Sequence, residues 1–202
     1  MSVVSRGFGR GRARPEGDRL PPGQYDVRGG FPVLSAGPTP HTPLSQWDLT
    51  VSDATGADLG QWTGEEFRAL PHEALSVDIH CVTKWSKFET RWEGVAIDTL
   101  LREVTDRRPY VLVSSDGGYT TNVPLADLTD GKAWVVDTYD GQPLAPEHGG
   151  PARLLVPHLY FWKSAKWISG LGLLERDERG CWEVNGYHDR GDPWMEQRYQ
   201  GD

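Results

Sequence analysis

Hydrophobic and polar positions alternate with period two over 47–51 (WDLTV) and again over 75–82 (LSVDIHCV), where Leu75, Val77, Ile79 and Cys81 share one face. Both stretches read as half-buried strands, with Cys81 at or just past the end of the second. A compact apolar run at 110–114 (YVLVS) reads as a buried strand, and 134–136, 153–156 and 167–174 supply further ones. Helical spacing is confined to Ile97, Leu100, Leu101 and Val104 and to the segment opened by Thr63-Gly-Glu-Glu66 ahead of Phe67 and Leu70. That second pattern is a capping box, in which the Thr hydroxyl and the Glu carboxylate each satisfy an N–H that the first helical turn leaves unpaired. Pro71 ends the helix. Between Pro21 and Pro43 the chain is too rich in Pro and Gly for a regular helix and should run as an extended strap. From Cys181 to Tyr199 the aromatics follow no period, so this segment reads as an irregular wrap anchored by Trp182, Tyr187, Trp194 and Tyr199. Strands interrupted by one or two short helices, without regular βαβ alternation, predict a mixed, β-rich α+β fold. The expected organisation is a disordered basic arm over 1–20 and a single domain over 21–202.

Composition adds to this picture. The 202 residues include 24 Gly, 15 Pro and nine Trp, which favours a loop-rich, β-leaning fold. Net charge is −8, yet the first 19 residues carry Arg6, Arg10, Arg12, Arg14 and Arg19 against Glu16 and Asp18, which leaves −11 on the rest. An acidic body argues against a nucleic-acid partner, because phosphate neutralisation needs a clustered basic face. The arginines are not followed by an apolar core of the kind that secretory and twin-arginine export signals carry. No apolar run approaches the ~20 residues of a membrane span. The chain is therefore expected in the cytoplasm. Cys81 and Cys181 lie a hundred residues apart, and in that compartment a disulfide between them is not expected.

Three constellations bear chemistry. Cys81 lies in His80-Cys81-Val82-Thr83-Lys84-Trp85-Ser86, and the residues alone leave it open between an inert core position and a thiolate favoured by the nearby His80 and Lys84. Zinc is excluded by spacing, since the six histidines at 41, 72, 80, 148, 158 and 188 are scattered singly and no second Cys is near. The second constellation is His148-Gly-Gly-Pro-Ala-Arg153 followed by Ser164-Ala-Lys166, a turn leading to two cations and a hydroxyl that could hold a phosphate. Its alternative is a turn with two surface cations. The third is 116–124 (DGGYTTNVP), either a hairpin or a loop presenting Tyr119, Thr120, Thr121 and Asn122 to an oxygen-bearing substrate.

Taken in order, FPVLSAGP, DIHCVTKWS, RWEGV, DGGYTTNVPL, DGQPLAPEHGGPARLLVPHLYFWKSAKW and GYHDRGDPW resemble the molybdopterin-binding domain of the sulfite oxidase family, in its short bacterial sulfite oxidase-like branch. The likeness spans nearly all of 22–199. It implies the fold of that domain, a molybdenum–molybdopterin cofactor and oxygen-atom transfer to or from a small substrate. By this resemblance Cys81 is the protein's sulfur ligand to molybdenum, Arg153 and Lys166 bind the pterin phosphate and ring edge, and His148 and Ser164 add hydrogen bonds. Ser115 faces the cofactor near the metal, Ser35 closes the pterin from the strap, and Trp85 and Tyr119 act at the catalytic end.

Sulfite-oxidising members follow the ligand Cys with an Arg-rich loop, whereas this chain has Val82-Thr83-Lys84-Trp85-Ser86, which is similar to the methionine-sulfoxide reductase branch. The expected reaction is therefore reduction of a sulfoxide or similar compound. Sulfite oxidation and a non-catalytic interaction module of the same fold are the alternatives. No haem or dimerisation segment is recognised, so electrons are expected from a separate partner.

Overall fold

The computed structural model describes residues 5–6, 19–35 and 37–202. Strands are β1 (Ser5–Arg6), β2 (Tyr25–Asp26), β3 (Asp48–Ser52), β4 (Asp58–Thr63), β5 (Glu73–His80), β6 (Trp85–Ala96), β7 (Tyr110–Ser115), β8 (Thr120–Pro124), β9 (Trp134–Tyr139), β10 (Gln142–Pro143), β11 (Arg153–Leu155) and β12 (Ile168–Leu174). Helices are short: α1 (Gly64–Ala69), α2 (Ile97–Leu100) and α3 (Cys181–Val184). The strands form two sheets. One runs β1-β5-β6-β9-β10, with β11 also on β9 and β2 on β6, and the other runs β4-β3-β12-β7-β8. This is the β-rich, mixed architecture expected from the sequence pattern.

The alternation of side chains along each strand divides the interior in two. Val95, Val135, Ala152 and Leu154 from the first sheet meet Leu49, Val51, Val111, Val113, Leu171 and Leu173 from the second, and this is the main core. Leu75, Val77, Ile79, Cys81, Trp85, Trp92, Trp134, Val136 and Leu155 occupy the other face of the first sheet, where Val27 and Phe31 of the strap and Phe161 cover them. Because residues i and i+2 share a face, Arg153 falls on the side of Leu155 and not of Leu154, and its register partner on β9 is Val136. Period-two geometry thus carries Arg153 to the face that bears Cys81.

Several expectations hold at the level of single residues. Thr63 accepts from the Glu66 N–H while the Glu66 carboxylate accepts from the Thr63 N–H, so both halves of the capping box form. Thr63→Ala is expected to lower unfolding free energy by about 1 kcal/mol, read from urea midpoints. Ile97, Leu100, Leu101 and Val104 are all buried. Others are corrected. The 110–114 stretch alternates, with Val111 and Val113 buried and Leu112 half-buried, because β7 packs on the core through one face only. Residues 116–124 take the hairpin of the two forms: Gly117 and Gly118, both at positive φ, turn the chain into β8, where Thr121 and Asn122 are buried.

The disordered arm expected over 1–20 falls mostly outside the described residues. Within it, Arg19 is fixed, donating to both oxygens of Asp78 and lying over the Phe88 ring. In the C-terminal wrap the anchor is a buried charge as much as the aromatics. The Lys163 ammonium and the Glu183 carboxylate on α3 meet at 2.6 Å, both fully buried. Lys163 also donates to the Asn122 side chain and to the Asn122 and Asp189 carbonyls, while Glu183 accepts from Thr121 and the Trp162 indole.

Candidate functional site

A tight hairpin joins β5 to β6. The Lys84 N–H donates to the Cys81 carbonyl and the Cys81 N–H to the Trp85 carbonyl, with Lys84 at φ +76. This is a three-residue connection whose last member takes the left-handed conformation. It sets Cys81 directly opposite Trp85, so the two side chains project from the same face of the sheet. One step back, His80 pairs with Ser86.

The Cys81 sulfur is buried, and the Thr83 hydroxyl donates to it at 3.1 Å. Burial pushes the thiol up from its ordinary range, opposed by the Thr83 hydroxyl and by the N–H groups of Thr83 and Val82. The cationic surroundings expected from His80 and Lys84 do not act on the sulfur. Lys84 is exposed, and burial drives His80 down to about 4, so its ring is neutral. Turn N–H groups and a hydroxyl, rather than cations, are what favour negative charge on sulfur here.

His80 is tied into a short chain of polar contacts. Its Nδ1 lies 2.8 Å from the Ser86 hydroxyl, which donates to the Gln24 Oε1, while the Gln24 Nε2 donates to the Cys81 carbonyl. The strap is thereby fastened to the hairpin that carries Cys81. Sequence reasoning missed Gln24, whose only local signal is one polar residue among Pro and Gly.

The second constellation assembles on the same face. Arg153 is fully buried, its guanidinium 4.1 Å from the Phe161 ring centre and donating to the carbonyls of His148, Ser164 and Leu154. Lys166 donates to the carbonyls of Leu34 and Glu147. Gly149, at φ +108, permits the approach, since a Cβ there would lie 2.9 Å from the Lys166 Cβ. Among the described residues no carboxylate pairs with either cation. Burial lowers Arg153 to about 9, and burial together with the charge of Arg153 lowers Lys166 to about 8. A buried cation held only by neutral carbonyls is an incomplete arrangement that an anion would complete.

An aromatic wall connects the two constellations. The Phe31 ring stacks on His148 at 4.0 Å and touches Trp85, Trp92 and Phe161, and Trp85 touches Phe161 in turn. His148 is held below its ordinary value by burial and by the two cations. Among the buried donors that lack a hydrogen-bond partner in the described residues are the Trp85 indole Nε1 and the Ser115 hydroxyl. Other expected site residues are already engaged. Ser164 accepts from the Val156 N–H, the exposed Ser35 bonds its own turn at Gly37, and the Tyr119 hydroxyl donates to the Trp162 carbonyl at 2.7 Å. A shallow cavity of about 280 Å³ on the edge of the first sheet shares only Trp92 with this wall and holds none of the candidate residues.

Residues 36–182 match the family model described as the oxidoreductase molybdopterin binding domain. The chain belongs to that family. It is 39% identical over 198 residues to an uncharacterized oxidoreductase, YuiH, of Bacillus subtilis, covering 96% of this chain and 99% of that one. It is 31% identical over 135 residues to a putative protein-methionine-sulfoxide reductase subunit, YedZ1, of Azospira oryzae, covering 65% and 51%. Mitochondrial sulfite oxidases match more distantly, that of Drosophila melanogaster at 25% over 108 residues, 48% of this chain and 19% of that one. Among solved structures the sulfane dehydrogenase SoxCD of Paracoccus pantotrophus superposes with a TM-score of 0.60 at 18% identity, covering 69% of this chain and 41% of that one, a likeness of fold. The protein is therefore an oxidoreductase domain of the sulfite oxidase type, and its cofactor is molybdopterin carrying molybdenum. Arg153 and Lys166, neither paired with a carboxylate among the described residues, and the enclosed Cys81 sulfur are a donor set that fits such an anionic, metal-bearing group. Among the described residues no helix is long and apolar enough to cross a membrane.

Proposed function

We propose that the chain is a molybdenum-dependent oxotransferase that reduces a sulfoxide or a similar oxygen-bearing small molecule, with Cys81 as the metal's protein ligand. The observation that carries this reading is the pairing, on one face of one sheet, of a hairpin sulfur with a buried guanidinium that lacks a counter-charge, beside the half-buried Lys166 of the following loop. When bound, the cofactor supplies a metal that exchanges an oxygen atom and two electrons with substrate.

The residues divide the remaining work. Arg153 and Lys166 hold the anionic end of the cofactor, Arg153 through a rigid fork and Lys166 as a point charge. Neutral His148, stacked on Phe31, offers a ring nitrogen without adding charge. The Ser115 and Ser164 hydroxyls are free to donate, and Ser35 closes the strap side. Trp85 stands beside the Cys81 ligand, and Tyr119 belongs to the substrate end. Burial keeps the Tyr119 phenol well above its ordinary value, so it stays protonated and serves as a donor once its hydroxyl leaves the Trp162 carbonyl.

Support for sulfoxide reduction over sulfite oxidation comes from the Val82–Ser86 loop, which lacks an arginine to hold a dianion, and from the likeness to the putative methionine-sulfoxide reductase subunit of Azospira oryzae. Electrons come from a separate protein in the cytoplasm on this reading. Chain purified from a cofactor-competent host should carry near-stoichiometric molybdenum by elemental analysis, and Cys81→Ser should reduce turnover of a sulfoxide with a reduced dye to background. A metal-free preparation under molybdate supplementation would sink the proposal. Bleaching of the oxidised enzyme by sulfite, with no sulfoxide turnover, would move the assignment to sulfite oxidation.

A further inference from the structure

The indole nitrogen of Trp85 is a buried hydrogen-bond donor that nothing in the described chain satisfies. Trp85 is 4% exposed, and its ring is wedged between Phe31 and Phe161 at centroid distances of 6.3 and 6.1 Å. A buried N–H without a partner is costly and uncommon in folded chains, and an acceptor from outside the chain is one way in which it is satisfied. The location narrows what that is. Cys81 lies directly across the hairpin from Trp85. On its other side, Phe161 carries the Arg153 guanidinium and Phe31 stacks on His148. The indole therefore stands between the sulfur and the anion cradle, along the path that one group held at both ends must follow.

We propose that the Trp85 N–H donates to an acceptor atom on the body of the bound molybdopterin, which makes Trp85 a third anchoring point between Cys81 and the Arg153–Lys166 pair. This rests on the cofactor reading given above. An indole N–H suits the role because it only donates and keeps its proton at any working pH, so it recognises an oxygen, nitrogen or sulfur acceptor and adds no charge. The acceptor is assigned to the cofactor rather than to a diffusing substrate because a molecule that exchanges at every turnover needs an open path to the nitrogen, which has no solvent exposure, whereas a resident group does not.

The test separates the donor from the ring that carries it. Full-length chain is prepared with and without cofactor, as wild type, as Trp85→Phe, and with Trp85 replaced by benzothienylalanine, which keeps the ring shape and has sulfur in place of N–H. Thermal midpoints of the cofactor-free forms and the rate of molybdenum loss on dialysis are measured. For the benzothienyl form the cofactor-free midpoint should be unchanged or higher, since an unsatisfied donor has been removed. Its molybdenum should leave about five- to tenfold faster, as expected for one lost hydrogen bond. Trp85→Phe should show the faster loss as well.

Two results would overturn the proposal. One is equal molybdenum retention with a raised KM for sulfoxide, which gives the acceptor to the substrate. The other is a fall in the cofactor-free midpoint of the benzothienyl form, which makes the N–H a structural contact with a neighbouring ring. Failure of the wild type itself to hold molybdenum defeats the underlying functional reading instead, and the two failures are thereby distinguished.

Discussion

Replacing Lys163 by Met should destabilise the chain by about 3–5 kcal/mol, the cost of leaving the partner of a buried ion pair without its counter-charge. Glu183 has no exposed atom, and one of its oxygens has no hydrogen-bond partner among the described residues even in the wild type. The other oxygen would keep its bonds from Thr121 and Trp162, which do not neutralise a full charge. Loss of the ammonium also leaves the buried Asn122 carbonyl and amide oxygen and the Asp189 carbonyl short of a donor. The measurement is the urea midpoint of full-length chain at constant slope. A double replacement, Lys163→Met with Glu183→Met, should recover much of the loss, because an apolar pair of similar volume removes the stranded charge. A single variant as stable as the wild type would refute this account of how the C-terminal wrap is held.

That ion pair also marks where sequence reasoning stops. Lys163 follows Trp162 in a loop and Glu183 follows Trp182 in a segment with no period, so nothing local links two residues twenty positions apart. By contrast the capping box at Thr63 and the strand ending at Cys81 were legible, since each depends on near neighbours. The second half of the longest strand, β6, was legible in principle: Glu89, Arg91 and Glu93 alternate with Thr90, Trp92 and Gly94, while a bulge sets the register of Lys87 and Phe88 apart. Its charges suggest a solvent face, and the opposite face is buried because the strap lies over it. At the site, residue types pointed to Arg153 and Lys166, while the shared face of Arg153 with Cys81 follows from strand register across β6, β9 and β11, which no local pattern encodes. The cationic explanation for Cys81 failed for a related reason. Adjacent residues on a strand point to opposite faces, so His80 lies next to the sulfur in sequence and away from it in space.

Arg153→Met is expected to strip the chain of its cofactor while changing the stability of the cofactor-free fold by no more than about 1 kcal/mol, because two costs oppose each other. The variant loses the donors to the His148, Ser164 and Leu154 carbonyls, which is unfavourable. It also loses a fully buried charge with no counter-ion, which is favourable, and the lowering of Arg153 to about 9 by burial has the same origin. No such cancellation exists once an anion is bound. Each charge-assisted bond from the fork to a phosphate contributes about 1.5–3 kcal/mol, so affinity should fall by a factor on the order of a hundred to a thousand. Arg153→Lys should fall in between, keeping charge without the planar fork. The pH dependence gives an independent check through Lys166, lowered to about 8 first by burial and then by Arg153, with Glu147 acting in the opposite sense. As a cation it favours anion binding below that value, so retention by the wild type should weaken as pH rises through about 8, the bound anion itself shifting the midpoint upward. Removing Arg153 removes one of the two lowering influences, and the residual binding of Arg153→Met should therefore persist to higher pH than that of the wild type. Pterin fluorescence released after dialysis across a pH series measures both. A midpoint that moved downward in the variant would mean that the two cations do not share one anion.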